Sequence, residues 1–125
     1  MPIDYSTAAG QLRLLISDTD EPDNVILGDP MVEGFLGMHG LTPTATDAAT
    51  ASVKRAAADA LDAIATSETL ISKVMRTQAG VSTDGARVAE ALRAHARSLR
   101  EQADDDEDTG VFEVAEFTPW PVTGL

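Results

Sequence analysis

Apolar residues at Val53, Ala57, Ala60, Leu61, Ile64, Ile71, Val74 and Met75 recur at three-and-four spacing, the mark of one helical stripe. Lys54, Arg55, Asp59, Asp62, Glu68 and Lys73 fall mostly off that stripe. The pattern predicts a single helix over 46–75, with Thr46 as N-cap and Asp47 in the first turn, where negative charge suits the helix dipole. No glycine or proline interrupts it. At 1.5 Å per residue such a helix spans roughly 45 Å, more than a small globule is wide, so part of it is expected to meet another subunit. Its many alanines either permit close helix approach or follow from an alanine-rich composition.

The rest of the chain reads as elements packed against this helix. Ser6 and Thr7 open a short first helix with Leu12, Leu15 and Ile16 on its apolar face and Ser17-Asp18 at its end. An acidic loop with Pro22 follows, then Val25-Ile26-Leu27, a buried connector or short strand. Asp29-Pro30 resembles an N-cap with proline at the first helical position. Met31, Phe35 and Met38 are assigned to the inner face of this second helix, and Gly40 to its C′ position. Residues 41–45 link to the long helix. A polar loop over 76–85 leads to a last helix over about 84–103, whose stripe is Val88, Leu92, His95 and Leu99. Arg87, Glu90, Arg93, Arg97, Arg100 and Glu101 take its wet side, with Glu90–Arg93 and Arg97–Glu101 as local pairs.

Composition changes at Asp104. The run Asp104-Asp-Asp-Glu-Asp108 cannot enter a core and should be solvated or paired with bases, so it reads as an acidic hinge. Beyond it, 111–117 has strand propensity and Pro119-Trp120-Pro121 is extended. Val111, Phe112, Val114, Phe117 and Trp120 are then either anchors on a partner-binding arm or a segment folded back on the helices; the arm is the reading adopted. The expected architecture is all-α: a small bundle of about four helices, two short and two long, with an extended C-terminal arm. Residues 1–103 form the helical domain and 104–125 the hinge and arm.

Charge sharpens this picture. The formal net charge is −12. Up to Phe35 the chain has seven acids against Arg13 alone, and from Glu101 onward eight acids and no base. Eight of the nine cationic side chains lie between. That distribution argues against a free nucleic-acid-binding module, which needs a basic face. It suits head-to-tail contact between copies, or a surface that does not adhere to DNA. The row Arg93, Arg97 and Arg100 is the candidate subunit interface.

Chemistry is sparse. The chain has no cysteine, which excludes disulfides and thiolate metal sites. His39 and His95 lack metal-pair spacing; His95 reads as a packed helix histidine and His39 as a helix-end cation. No nucleophile elbow, phosphate loop or metalloprotease motif is found. Asp18 and Asp20 begin like a calcium loop, but Pro22 and Asp23 spoil it. Asp105, Glu107, Thr109, Gly110 and Glu116 match loop positions better, though Glu107 is long and the prolines forbid an exit helix, so a solvated hinge is preferred. An acyl-carrier reading fails for want of Asp-Ser-Leu at a helix start. The expectation is a non-enzyme without catalytic residues, cofactor or metal. No apolar run reaches the ~20 residues that span a bilayer, and Met1-Pro2-Ile3-Asp4 is unlike a signal peptide, so a soluble cytosolic protein is expected.

Several segments in succession carry a resemblance. They are Tyr5-Ser-Thr-Ala-Ala-Gly-Gln-Leu-Arg-Leu-Leu-Ile-Ser-Asp, Val53-Lys-Arg-Ala-Ala-Ala-Asp-Ala-Leu-Asp-Ala-Ile-Ala, Ser72-Lys-Val-Met-Arg-Thr-Gln and Ser82-Thr-Asp-Gly85. Val88-Ala-Glu-Ala-Leu-Arg-Ala and Leu99-Arg-Glu-Gln-Ala complete the set. Together, over roughly residues 5–103, they resemble head–tail connector (adaptor) proteins of long-tailed actinobacterial phages. Residues 27–40, rich in glycine, depart from that pattern, and the tail is individual. The resemblance implies a structural virion protein, assembled in the host cytoplasm. It would form a homo-oligomeric ring, typically a dodecamer, between the portal protein and the tail completion or stopper protein. Duplex DNA would pass through the lumen without specific binding, and no membrane is involved. Two other readings stay open: an acidic regulatory or DNA-mimic protein acting on a basic partner, and a calcium-responsive module at Asp105–Glu116.

Overall fold

A computed structural model describes residues 3–19, 25–77 and 85–117, with side chains for all of these except 76–77 and 108–117. The loop at 20–24, the polar loop at 78–84 and the stretch from Thr118 that includes Trp120 lie outside the described residues. Among the described residues the regular secondary structure is all helix: α1 Ala8–Leu15, α2 Asp29–Met38, α3 Thr50–Thr66, α4 Glu68–Thr77 and α5 Gly85–Phe117.

The organising stretch is helical as its periodicity predicts, but in two pieces. The break falls at Ser67, whose backbone is extended (φ −98°, ψ 118°). Its hydroxyl accepts from the Leu70 amide at 3.2 Å and its carbonyl from Ile71, so Ser67 ends α3 and caps α4. Competition by a side-chain acceptor outweighs an uninterrupted apolar stripe. At its other end α3 starts after Ala49, which has no side-chain capping bond, rather than after Thr46. The 17 residues of α3 span about 25 Å, so the expected over-length helix is not there.

α3 is nevertheless the central element, packing against α1, α2, α4 and α5. This is why Ala56, Ala57, Ala58, Ala60 and Leu61 are all fully buried although they point in several directions. Small side chains let α5 approach closely along α3, and Ala96, Leu99 and Ala103 supply the facing surface. The same core takes in Leu12, Leu27, Val32, Leu36, Ile71 and Val74.

Two turns aim the short helices. α1 starts where Thr7 Oγ1 accepts from the Gly10 amide at 3.1 Å. The 41–45 link completes that start, its Ala45 and Pro43 carbonyls accepting from the Ala8 and Ala9 amides. α1 ends in a Schellman turn: Asp18 N–H bonds the Arg13 carbonyl and Ser17 N–H bonds that of Leu14. Ser17 takes φ 61°, a conformation costing a non-glycine residue about 1–2 kcal/mol. α2 closes the same way through Gly40 (φ 71°), with Leu41 N–H on the Leu36 carbonyl.

Three expectations are corrected. Val32 and Leu36, not Met31, Phe35 and Met38, form the inner face of α2; Phe35 is half-buried and Met38 is 72% exposed. In a helix with apolar residues on both sides, periodicity cannot say which side finds the core. His95 is exposed, and the buried stripe of α5 is Ala89, Ala96, Leu99 and Ala103. Finally, α5 does not stop near Ala103. It runs through the acidic segment and the 111–117 stretch to Phe117, 33 residues or about 50 Å. The backbone of 104–117 is therefore neither hinge nor strand, and a helical 105–116 cannot fold as a calcium loop.

Candidate functional site

Among the described residues three polar constellations link the helices, one buried, one half-buried and one at the surface. The first is buried. Arg13 and Asp18, 5% and 3% exposed, meet at 2.9 Å, and the second guanidinium nitrogen reaches Asp29 at 2.8 Å. The Asp18 carboxylate also accepts from the Ile26 and Leu27 amides at 2.7 and 3.0 Å. One arginine and one aspartate thus tie the end of α1, the 25–27 connector and the start of α2. Asp18 is fully engaged in this knot and is not the first ligand of a cation loop.

The second constellation crosses the bundle. His39 Nε2, at the C-cap of α2, lies 2.7 Å from Asp59 Oδ2 on α3. The other Asp59 oxygen accepts from Arg100 of α5 at 2.9 Å, and Arg100 also reaches Asp62 at 2.8 Å. Burial works against the Asp59 charge, but His39 and Arg100 outweigh it and hold the carboxyl below its usual range. Asp59 and Asp62 together raise the Arg100 guanidinium further toward its charged form. His39 thus does more than end a helix; it links α2 to the α3–α5 pair. A groove lined by Asp62, Ala63, Thr66 and Ser67 offers one carboxylate, already engaged by Arg100.

The third answers where the acidic run goes. Arg55 bonds Glu107 and Asp104, and Lys54 bonds Asp106, all at 2.7 Å. Glu107 and then Asp104 shift Arg55 upward, and Arg55 in turn lowers Glu107. Residues 104 and 107 lie one turn apart on the side of α5 that faces Arg55. The expected basic partner is therefore in the same chain. Pairing with Lys54 and Arg55 relieves part of the repulsion within the five consecutive acids 104–108, all of which are helical.

Of the residues expected at an interface, Arg93 and Arg97 are exposed on α5, and among the described residues neither has an acidic partner within ion-pair distance. The local pairs Glu90–Arg93 and Arg97–Glu101 are not formed. Arg100 stands apart from that row, committed to Asp59 and Asp62. Val111, Phe112, Val114 and Phe117 lie on the backbone of α5, whereas Trp120 lies outside the described residues. Among the described residues no three potential metal ligands gather, and no helix is long and apolar enough to cross a membrane. The pairings themselves were hidden from sequence reasoning. Signals were present in Arg13 as the lone base among seven acids, and in the adjacent bases Lys54-Arg55 opposite a later acidic run. No family model, curated protein or solved structure matches the chain.

Proposed function

We propose that this chain is a structural virion subunit, a head–tail connector (adaptor). It assembles as a ring between the portal and the tail completion or stopper protein, with duplex DNA passing through the lumen. The reading starts from the resemblance over residues 5–103. The observation that carries it in the fold is α5: 33 residues beside an α3 of 17, with Arg93 and Arg97 exposed along it. At about 50 Å it is twice the length of the α3 it packs on, and it carries Arg93 and Arg97, which no acid of the described residues answers. Both features suit a subunit completed by neighbours.

A DNA-mimic or regulatory acidic protein is the second reading, favoured by the net charge of −12. Engagement of Asp104, Asp106 and Glu107 with α3 reduces the acidic surface left for such a role. Electron microscopy of the purified protein, alone and mixed with the portal protein of the same phage, tests the proposal. Rings docked on the portal are expected, and charge reversal at Arg93 and Arg97 should reduce them more than it lowers the melting temperature. The protein should not retard duplex DNA at physiological salt, since phosphate contacts would hinder passage. A low-order oligomer that ignores the portal and binds a basic enzyme would replace this reading with the second.

A further inference from the structure

The outer face of α2 is apolar and, among the described residues, uncovered. Val32 and Leu36 face the core, while Pro30, Met31, Gly34, Gly37 and Met38 are exposed, with Phe35 half-buried at the edge. Met31 and Met38 are 41% and 72% exposed. A helix normally turns charged residues outward; α2 has no base and only two acids, Glu33 and an Asp29 already held by Arg13. The glycines sharpen the anomaly. A Cβ added at Gly34 or Gly37 would meet nothing within 4 Å, so the chain's own packing does not require either. Two glycines inside a ten-residue helix weaken it. Their absent side chains matter only if another surface comes close.

The chain carries a surface of matching character. Between Glu90 and Glu101 on α5, the exposed residues are Ala91, Arg93, Ala94, His95, Arg97 and Ser98: small side chains, two arginines and an imidazole, with no acid. Packing α2 against α2 of another copy would bring two Glu33 carboxylates to one apolar strip with no base on either helix, which argues against a two-fold contact. Packing it on α5 sets Glu33 against Arg93 and Arg97, and glycine against alanine, which allows an interaxial distance near the ~8 Å lower limit.

We propose that the outer face of α2 docks on the 91–98 stretch of α5 in a second copy of this chain, head to tail. Such a contact uses different patches on its two sides, so it propagates into a closed ring or an open filament. Each copy then buries both faces, which compensates for the small area of one short helix. The inference shares with the connector reading the premise that copies associate, and it adds which surfaces meet.

The absence of native cysteine makes the test clean. The paired variant Met38→Cys with Ala94→Cys, both at exposed positions, should give a ladder of covalent oligomers on mild oxidation, while each single variant gives none. In sedimentation, Glu33→Arg and Arg97→Glu should each reduce association, and their combination should restore it. Gly34→Ala should raise the monomer's melting temperature yet weaken assembly, a split that a merely structural glycine would not produce. Three results would overturn the proposal: a wild-type protein monomeric at all concentrations, covalent dimers from Met38→Cys alone, or rings whose paired-cysteine variant forms no ladder. The last would leave the connector reading intact. Conversely, a ladder from a protein that ignores the portal would sink the connector reading and leave this contact standing.

Discussion

Replacing Asp18 with alanine probes the fold at its most exposed assumption, that a buried ion pair holds α1 and α2 together. The carboxylate is 3% exposed and accepts three hydrogen bonds, from Arg13 and from the Ile26 and Leu27 amides. In Asp18→Ala, Arg13 keeps only Asp29, whose side chain is 83% exposed and shares its charge with water. Removing one partner of a buried pair costs about 3–5 kcal/mol, because the other charge is left uncompensated. Against a total stability of roughly 5–15 kcal/mol for a domain, that is a large fraction.

The assay is urea unfolding followed by circular dichroism. With a slope of about 2 kcal/mol/M, a loss of ~4 kcal/mol moves the midpoint down by ~2 M. A companion variant, Arg13→Met with Asp18→Leu, removes both charges and leaves only the two amides without their acceptor. Unsatisfied buried donors cost about 1–3 kcal/mol each, partly recovered by better apolar packing, so the double variant should be the more stable of the two. A single variant that loses less than about 1 kcal/mol, or a double variant that is worse, would refute the argument that the buried charge is what demands its partner.

Other expectations follow from particular contacts. Gly10→Ala would place a Cβ onto the Asp4 carbonyl and close to Tyr5 Cα, backbone atoms that cannot swing aside, and should lower stability by about 3 kcal/mol in the same unfolding assay. Ser67→Ala removes the acceptor for the Leu70 amide and should cost about 1 kcal/mol, with faster amide exchange at the start of α4. Charge reversal of Lys54 and Arg55 together should accelerate exchange of the α5 amides from 104 onward while leaving those near Ala96 protected. High salt should reproduce part of this in the wild type, since these pairs face solvent. The depressed Asp59 carboxyl stabilises the fold fully above its ordinary value of 3.8, and that advantage is lost as pH falls through its lower folded value. The melting-temperature difference between wild type and Asp59→Asn should accordingly shrink below about pH 3.8 and stay full above it.

Helix content and the central place of α3 were legible in the sequence, because both depend on local periodicity. Val53, Ala57, Ala60, Leu61 and Ile64 share a face whatever surrounds them, and glycine at position 40 ends a helix through its own backbone freedom. The Thr7 cap and the Gly40 turn were readable for the same reason, as they are settled within a few residues. What the sequence left open needed a third dimension. Met31, Phe35 and Met38 make as good an apolar stripe as Val32 and Leu36, and only the position of α3 decides which one is buried. The acidic run reads as a hinge because 104–108 cannot enter a core; in the fold it continues α5, with Asp104, Asp106 and Glu107 paired to Lys54 and Arg55, some fifty residues earlier. The Arg13–Asp18 and His39–Asp59–Arg100 links likewise join residues whose meeting no spacing encodes. Periodicity reports which residues share a face, whereas burial and ion pairing depend on what is packed against that face.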